Sequence, residues 1–139
     1  MVSEVFIRGD DSENLEAFAL PLFSCLNVRF VEIRESSFYV NNTYIVGEAL
    51  GMTVKLSLAD DTEFTDYRYW LTFSAPSGLS EGERGCLDGV AELVAGVLAL
   101  EGLETARPLG GPRMGEPKRI YTREVRSDGP GYVLRTSEA

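Results

Sequence analysis

The sequence predicts an α+β fold, an antiparallel sheet of about five strands with two helices packed on one face. Three observations lead to it. Met52, Val54, Leu56 and Leu58 alternate with Thr53, Lys55 and Ser57, the period of a half-buried strand. Two apolar stripes at helical spacing begin at Leu15 and at Leu87. The order along the chain, strand, helix, four strands, helix and a last strand, suits an antiparallel sheet with both helices on one side.

The elements follow in order. Val2 to Arg8 alternates loosely and reads as a first strand that stops at Gly9-Asp10. Asp10, Asp11 and Ser12 are N-cap residue types, and Glu13 suits a first helical turn. Leu15, Phe18, Ala19, Leu22, Phe23 and Leu26 form one helical stripe, in which Pro21 is expected to kink or split the helix. In Val28 to Phe38 the apolar side chains Phe30, Val31 and Ile33 change face once, which predicts a bulge or partial burial on both sides. Asn41-Asn42 marks a tight turn, because Asn tolerates left-handed backbone angles. Thr43 to Leu50 is a third strand. Whether it and residues 52–58 form a hairpin or one strand bent at Gly51 is open at this level. Tyr67, Tyr69, Leu71 and Phe73 then occupy one strand face, with Arg68, Trp70 and Thr72 on the other.

Ser80-Glu81-Gly82-Glu83 has the form of a capping box, and the helix it opens should stop at Gly102. Its core stripe is Leu87, Val90, Ala91, Val94, Val97 and Leu98, and Gly85, Gly89 and Gly96 are read as close-packing positions against the sheet. Residues 104–118 are rich in Gly and Pro and read as an irregular connection. Arg119 to Val125 and Tyr132 to Leu134 read as final strands around a Ser127-Asp-Gly-Pro-Gly turn, with a frayed tail at 136–139. One domain, residues 1–139, is expected.

Composition narrows the function. Apolar residues make up 44% of the chain and charged residues 25%, a globular balance. No apolar run reaches the ~18 residues of a membrane span, and the N-terminal segment lacks the basic and apolar regions of a signal peptide. A soluble, cytoplasmic protein is expected. Cys25 and Cys86 are isolated in apolar segments and are read as buried, reduced thiols. The chain has no histidine, which removes Ser-His-Asp and Cys-His mechanisms and the commonest metal ligand. The net charge is −9, and it is uneven: residues 1–102 carry 17 acidic and 6 basic side chains, residues 103–139 carry 5 and 7. An acidic body repels phosphate backbones, so nucleic acid is not an expected partner, whereas a basic protein surface would be drawn to it.

The candidate site is the acidic stretch Asp60 to Asp66 and the aromatic strand after it. Asp61, Glu63 and Thr65 alternate oxygen ligands, but the turn glycine and terminal Glu of a calcium loop are missing, so no metal is expected. Gly110 to Gly115 with Lys118 and Arg119 lacks the spacing of a phosphate-binding loop, so no cofactor is expected. A Trp on the polar face of a strand is either covered by the chain's own C-terminal segment or offered to a partner. Trp and Tyr are favoured interface anchors, and nearby carboxylates recruit a basic surface. The partner-binding candidates are therefore Asp60, Asp61, Glu63, Asp66 and Trp70. No catalytic group stands out. An enzyme that uses paired carboxylates among Glu32, Glu48 and Asp66, and a self-associating subunit with an open strand edge, are the alternatives.

The stretch Glu35 to Phe73 carries Tyr44-x-x-Gly47-Glu48-Ala49-Leu50-Gly51, Leu58-Ala-Asp-Asp61 and Asp66-Tyr67-x-Tyr-Trp70. It resembles small single-domain bacterial proteins of uncharacterised type and the immunity proteins of bacterial polymorphic toxin systems. The likeness covers roughly a quarter of the chain. It implies a small, acidic, cytosolic protein that blocks a cognate toxin domain, and it transfers no individual residue.

Overall fold

Alternation within the apolar strands sets the architecture. Val5, Ile7, Ile45, Val54, Leu56, Tyr69, Leu71 and Phe73 all face one side of a sheet and are at most 2% exposed. The computed structural model describes residues 2–9, 14–59, 66–75, 81–109 and 118–139. Among these residues the sheet has eight strands rather than about five. They are β1 (Val2–Ile7), β2 (Arg29–Glu35), β3 (Thr43–Ala49), β4 (Met52–Leu58), β5 (Tyr69–Ser74), β6 (Thr105–Pro108), β7 (Lys118–Val125) and β8 (Tyr132–Glu138). The order is β2-β3-β4-β5-β1-β6-β7-β8, and every neighbouring pair is antiparallel. Helix α1 (Leu15–Cys25) links β1 to the far edge at β2, and α2 (Glu81–Leu100) links β5 to β6 across β1.

Both helices share one face. Phe18, Ala19, Leu22 and Phe23 of α1 and Leu87, Ala91, Ala95, Leu98 and Ala99 of α2 enter the same core. Each large apolar side chain buried there contributes about 1.5–3 kcal/mol relative to exposure. The Phe18 ring stacks on Tyr69 at 3.7 Å between centroids. Gly9 permits this packing, since a Cβ there would lie 2.5 Å from the Tyr69 ring.

The helix ends follow local chemistry. Asn14, not a residue of the 10–12 stretch, caps α1, and its side-chain oxygen accepts from the Ala17 N–H at 2.8 Å. Residues 10–13 lie outside the described residues. The expected split at Pro21 does not occur: α1 is one element, with Pro21 on its exposed side. Gly102 closes α2 with φ 99°, the Gly102 N–H bonding Ala99 O and the Leu103 N–H bonding Leu98 O, a Schellman motif. The Ser80–Glu83 capping box lies where side chains are not described.

The choice left open at Gly51 is decided, and several expectations are corrected. Leu50 and Gly51 take φ 51° and 77° between the paired residues Ala49 and Met52, so β3 and β4 form a hairpin of the type that needs two positive φ values. Residues 105–108 are not irregular: Thr105 and Ala106 are fully buried between β1 and β7, a strand too short for its periodicity to be visible. The tail is not frayed, because Glu138 pairs with Arg119 and Ala139 exchanges backbone hydrogen bonds with Lys118 at 3.0 and 3.1 Å. Cys25 and Cys86 are both exposed rather than buried. Gly89 faces open space, while Gly96 does pack, its missing Cβ leaving 3.3 Å to Leu134. Strand β2 has the expected bulge, a register shift between Arg29 and Glu32, but it is exposed along its whole length.

The basic C-terminal residues bind α2 to the sheet. Arg107 donates to Glu4 O at 3.0 Å, Asp88 O at 3.2 Å and Asp88 Oδ1 at 3.4 Å. Arg119 bridges Glu92 and Glu138, and Arg123 donates to Leu100 O. The positive charge of residues 103–139 is thus spent largely within the fold. No helix among the described residues is long and apolar enough to cross a membrane.

Candidate functional site

The side of the sheet away from the helices is where the alternation sends Phe6, Tyr44, Lys55, Ser57, Trp70 and Thr72. Trp70 lies opposite Phe6 on β1 and Ser57 on β4. The Phe6 and Trp70 rings are nearly parallel, 14° apart with centroids at 6.5 Å, and the Trp70 indole N–H donates to Glu4 at 3.1 Å.

A second source of aromatic surface is the β2–β3 connection. Asn41 and Asn42 hold φ 58° and 56°, the left-handed angles expected of them. The Asn42 N–H bonds Tyr39 O, the Tyr39 N–H bonds Ser36 O, and the Ser36 N–H bonds Asn42 O, so the reversal is fixed by its own backbone. It sets Tyr39 over the open face, with its ring 4.5 Å from Tyr44 and 6.3 Å from Trp70. Phe38 is 88% exposed with its ring 6.2 Å from Tyr39, and the Lys55 ammonium lies 5.5 Å from the Tyr44 ring centre. Phe6 is buried, Tyr39, Tyr44 and Trp70 are half-buried, and Phe38 is exposed. The result is an aromatic surface that grades from core to solvent.

Trp70 is half-buried, and Ile120 of the C-terminal segment packs on the same small cluster. Phe6, Glu4 and Tyr39 are neighbours of the indole. Tyr67 also belongs to this cluster with Phe6 and Ala106, and not to the helix-side core with Tyr69. The strand begins at Tyr69, so the two-residue alternation does not extend back to Tyr67.

The acidic stretch joins the same end of the sheet. Its stem is closed by the Ala59 N–H bonding Arg68 O at 2.7 Å. Beside that stem Glu104 accepts from the Tyr67 hydroxyl at 2.7 Å and from Arg8 at 3.1 Å. Asp66 is exposed and within electrostatic reach of Arg8. Burial, and then the Glu104 carboxylate, push the Tyr67 phenol well above its usual value. Asp60, Asp61 and Glu63 lie outside the described residues. Of the sequence candidates, the structure brings Asp66 and Trp70 to one end of the open face. It adds Phe38, Tyr39 and Tyr44, for which the only sequence signal was three aromatic residues flanking an Asn-Asn turn.

Among the carboxylates considered for catalysis, Glu32 fits that role poorly. Glu32 is exposed, and a hydrogen bond from Arg34 holds its carboxyl below the usual range, the opposite of what a general acid needs. A cleft of about 300 Å³ between the helices is lined by Phe18, Pro21, Leu22, Cys25, Leu98, Glu101 and Leu103. A second, of about 330 Å³, lies between the start of α1 and the 40–43 turn. Glu32, Glu48 and Asp66 line neither of these two. Among the described residues no three Cys, Asp or Glu side chains gather as a metal site would require. Comparison of the chain with protein-family models, with curated proteins and with solved structures found no match.

Proposed function

We propose that this chain is a binding protein whose target is another protein with a basic surface, and that it acts as an immunity protein does, by occluding a toxin domain. One observation carries the reading: among the described residues Tyr39, Tyr44, Phe38 and Trp70 leave graded aromatic area on the face away from the helices, next to the acidic end of the sheet. Half-buried Trp and Tyr side chains lose little conformational entropy when a partner covers them, and they release apolar area as they do so. The net charge of −9 would steer a basic partner toward this end and raise the rate of encounter. A reducing, cytoplasmic setting goes with this reading and is supported by two exposed thiols that are not joined.

The test begins with a partner captured on the immobilised chain and identified. Trp70→Ala should then weaken its binding by about 2 kcal/mol, roughly 30-fold. The association rate should fall at least about tenfold between low and ~1 M salt. A partner that binds Trp70→Ala as tightly as the native chain, with a salt-independent rate, would remove this reading.

A further inference from the structure

The two edges of the sheet differ in what they leave unpaired. On β2, Phe30, Val31 and Ile33 are 79%, 42% and 50% exposed, a run of apolar side chains along a strand edge that is free among the described residues. Natural edge strands are seldom apolar without a reason, since an open ladder invites another strand. The Ser36 N–H bonds Asn42 O. By the two-residue alternation of an antiparallel pair, Arg34 with Tyr44 and Glu32 with Val46 also turn their backbone groups toward each other. Ile33 and Glu35 therefore direct N–H and C=O outward, along the free edge. The bulge, with Phe30 at φ 55°, ends the regular ladder on one side and confines the usable edge to about residues 31–35.

That segment is complementary to itself. When a second β2 is laid antiparallel about a two-fold axis through Ile33, Ile33 meets Ile33 of the other copy as a hydrogen-bonded pair. In that register Glu32 faces the other copy's Arg34, and Arg34 its Glu32. Moving the two-fold axis one residue to either side loses the match, setting Arg34 opposite Phe30 or opposite Arg34 of the other copy. We propose that a second copy of this chain docks on the β2 edge in this register, joining two sheets into one through an isologous contact.

The opposite edge does not offer the same fit. Lys118 and Ala139 exchange both backbone hydrogen bonds, so Leu134 and Thr136 point outward on β8. Pairing Leu134 with Thr136 across a two-fold axis sets Arg135 against Arg135 of the other copy, and like charges directly opposite are destabilising. Pairing Leu134 with itself sets Arg135 against Val133, with no ion pair to fix the register. Its apolar side chains are also partly engaged: Leu134 leans on Gly96, and the Arg123 guanidinium sits 3.8 Å over the Tyr132 ring. The β2 contact adjoins the aromatic open face, since Arg34 lies across from Tyr44, but its test uses this chain alone and needs no other partner.

Sedimentation equilibrium from low micromolar to about 1 mM tests it. The native chain should show a reversible dimer, and Ile33→Asp should be monomeric with unchanged Trp70 emission. Glu32→Arg and Arg34→Glu should each weaken the dimer at least about tenfold, and the double swap should recover most of the loss. For register, Ile33→Cys in a Cys25→Ser, Cys86→Ser background should oxidise to a homodimer. Hydrogen-bonded antiparallel pairs hold Cα atoms about 5.5 Å apart, within disulfide range. A chain monomeric throughout overturns the proposal. So does a dimer that survives Ile33→Asp, or that cross-links through Leu134→Cys and not Ile33→Cys.

Discussion

Tyr69 and Trp70 are adjacent in β5 and differ in which way the strand points them. Tyr69 is 1% exposed and stacks on Phe18 of α1 at 3.7 Å. Trp70 has Phe6 and Tyr39 as ring neighbours at 6.5 and 6.3 Å and keeps part of its surface in water. One face of the sheet has two helices to close it, and on the other the described residues add a seven-residue connection, 36–42, that brings in Tyr39. The difference separates two tasks. The helix side supplies stability by full burial, while the open side holds aromatic area that folding has only partly used.

The comparison can be broken at several points. The largest effect on stability belongs to the helix side. Leu71→Ala, at a residue 0% exposed, should cost about 2–5 kcal/mol in denaturant unfolding and leave partner affinity unchanged while the chain stays folded. Trp70→Ala should cost less, about 1–2 kcal/mol, because its ring is half-exposed, yet it should be the variant that loses the partner. A Trp70→Ala variant as unstable as Leu71→Ala would show that the open face is a second core.

A smaller effect should appear in alkali. The folded chain holds the Tyr67 phenol proton more tightly than the unfolded chain, because burial and Glu104 both disfavour the phenolate. Its contribution is therefore complete below the ordinary tyrosine value of 10.0 and is lost as pH rises past it. Tyr121, shifted the same way by burial and Glu92, adds to the trend. Urea titrations at rising pH should show stability falling above about pH 10. Tyr67→Phe should cost about 1 kcal/mol at neutral pH and flatten that fall. The smallest change is expected at Phe38, which is 88% exposed: Phe38→Ala should alter stability by less than about 0.5 kcal/mol while measurably weakening the partner.

How far the sequence could be read depended on whether burial enforces a period. β4 was legible because Val54 and Leu56 enter the core on alternate residues. The Gly102 stop and the Asn41-Asn42 reversal were legible because positive φ selects few residue types. β2 looked partly buried because Phe30, Val31 and Ile33 are apolar, but an edge position leaves such residues in water without changing their identity. β6 was missed since its burial rests on Thr105 and Ala106, too few residues for a pattern. The cysteines and Gly89 were misplaced because a helix hides which of its narrow flanks faces out. At the site, Trp70 stood out by its place on a polar strand face. Its neighbours Phe6 and Tyr39 come from residues 64 and 31 positions away, and one chain alone does not reveal such pairings.

Trp70 is the chain's single tryptophan, so its emission reports on the open face without labelling. The most direct test is quenching of that emission by acrylamide, a neutral probe, with and without saturating captured partner. If the open face is the binding surface, partner should lower the quenching constant at least about threefold, as a covered anchor requires. An unchanged quenching constant with partner fully bound would place the contact elsewhere and contradict the account.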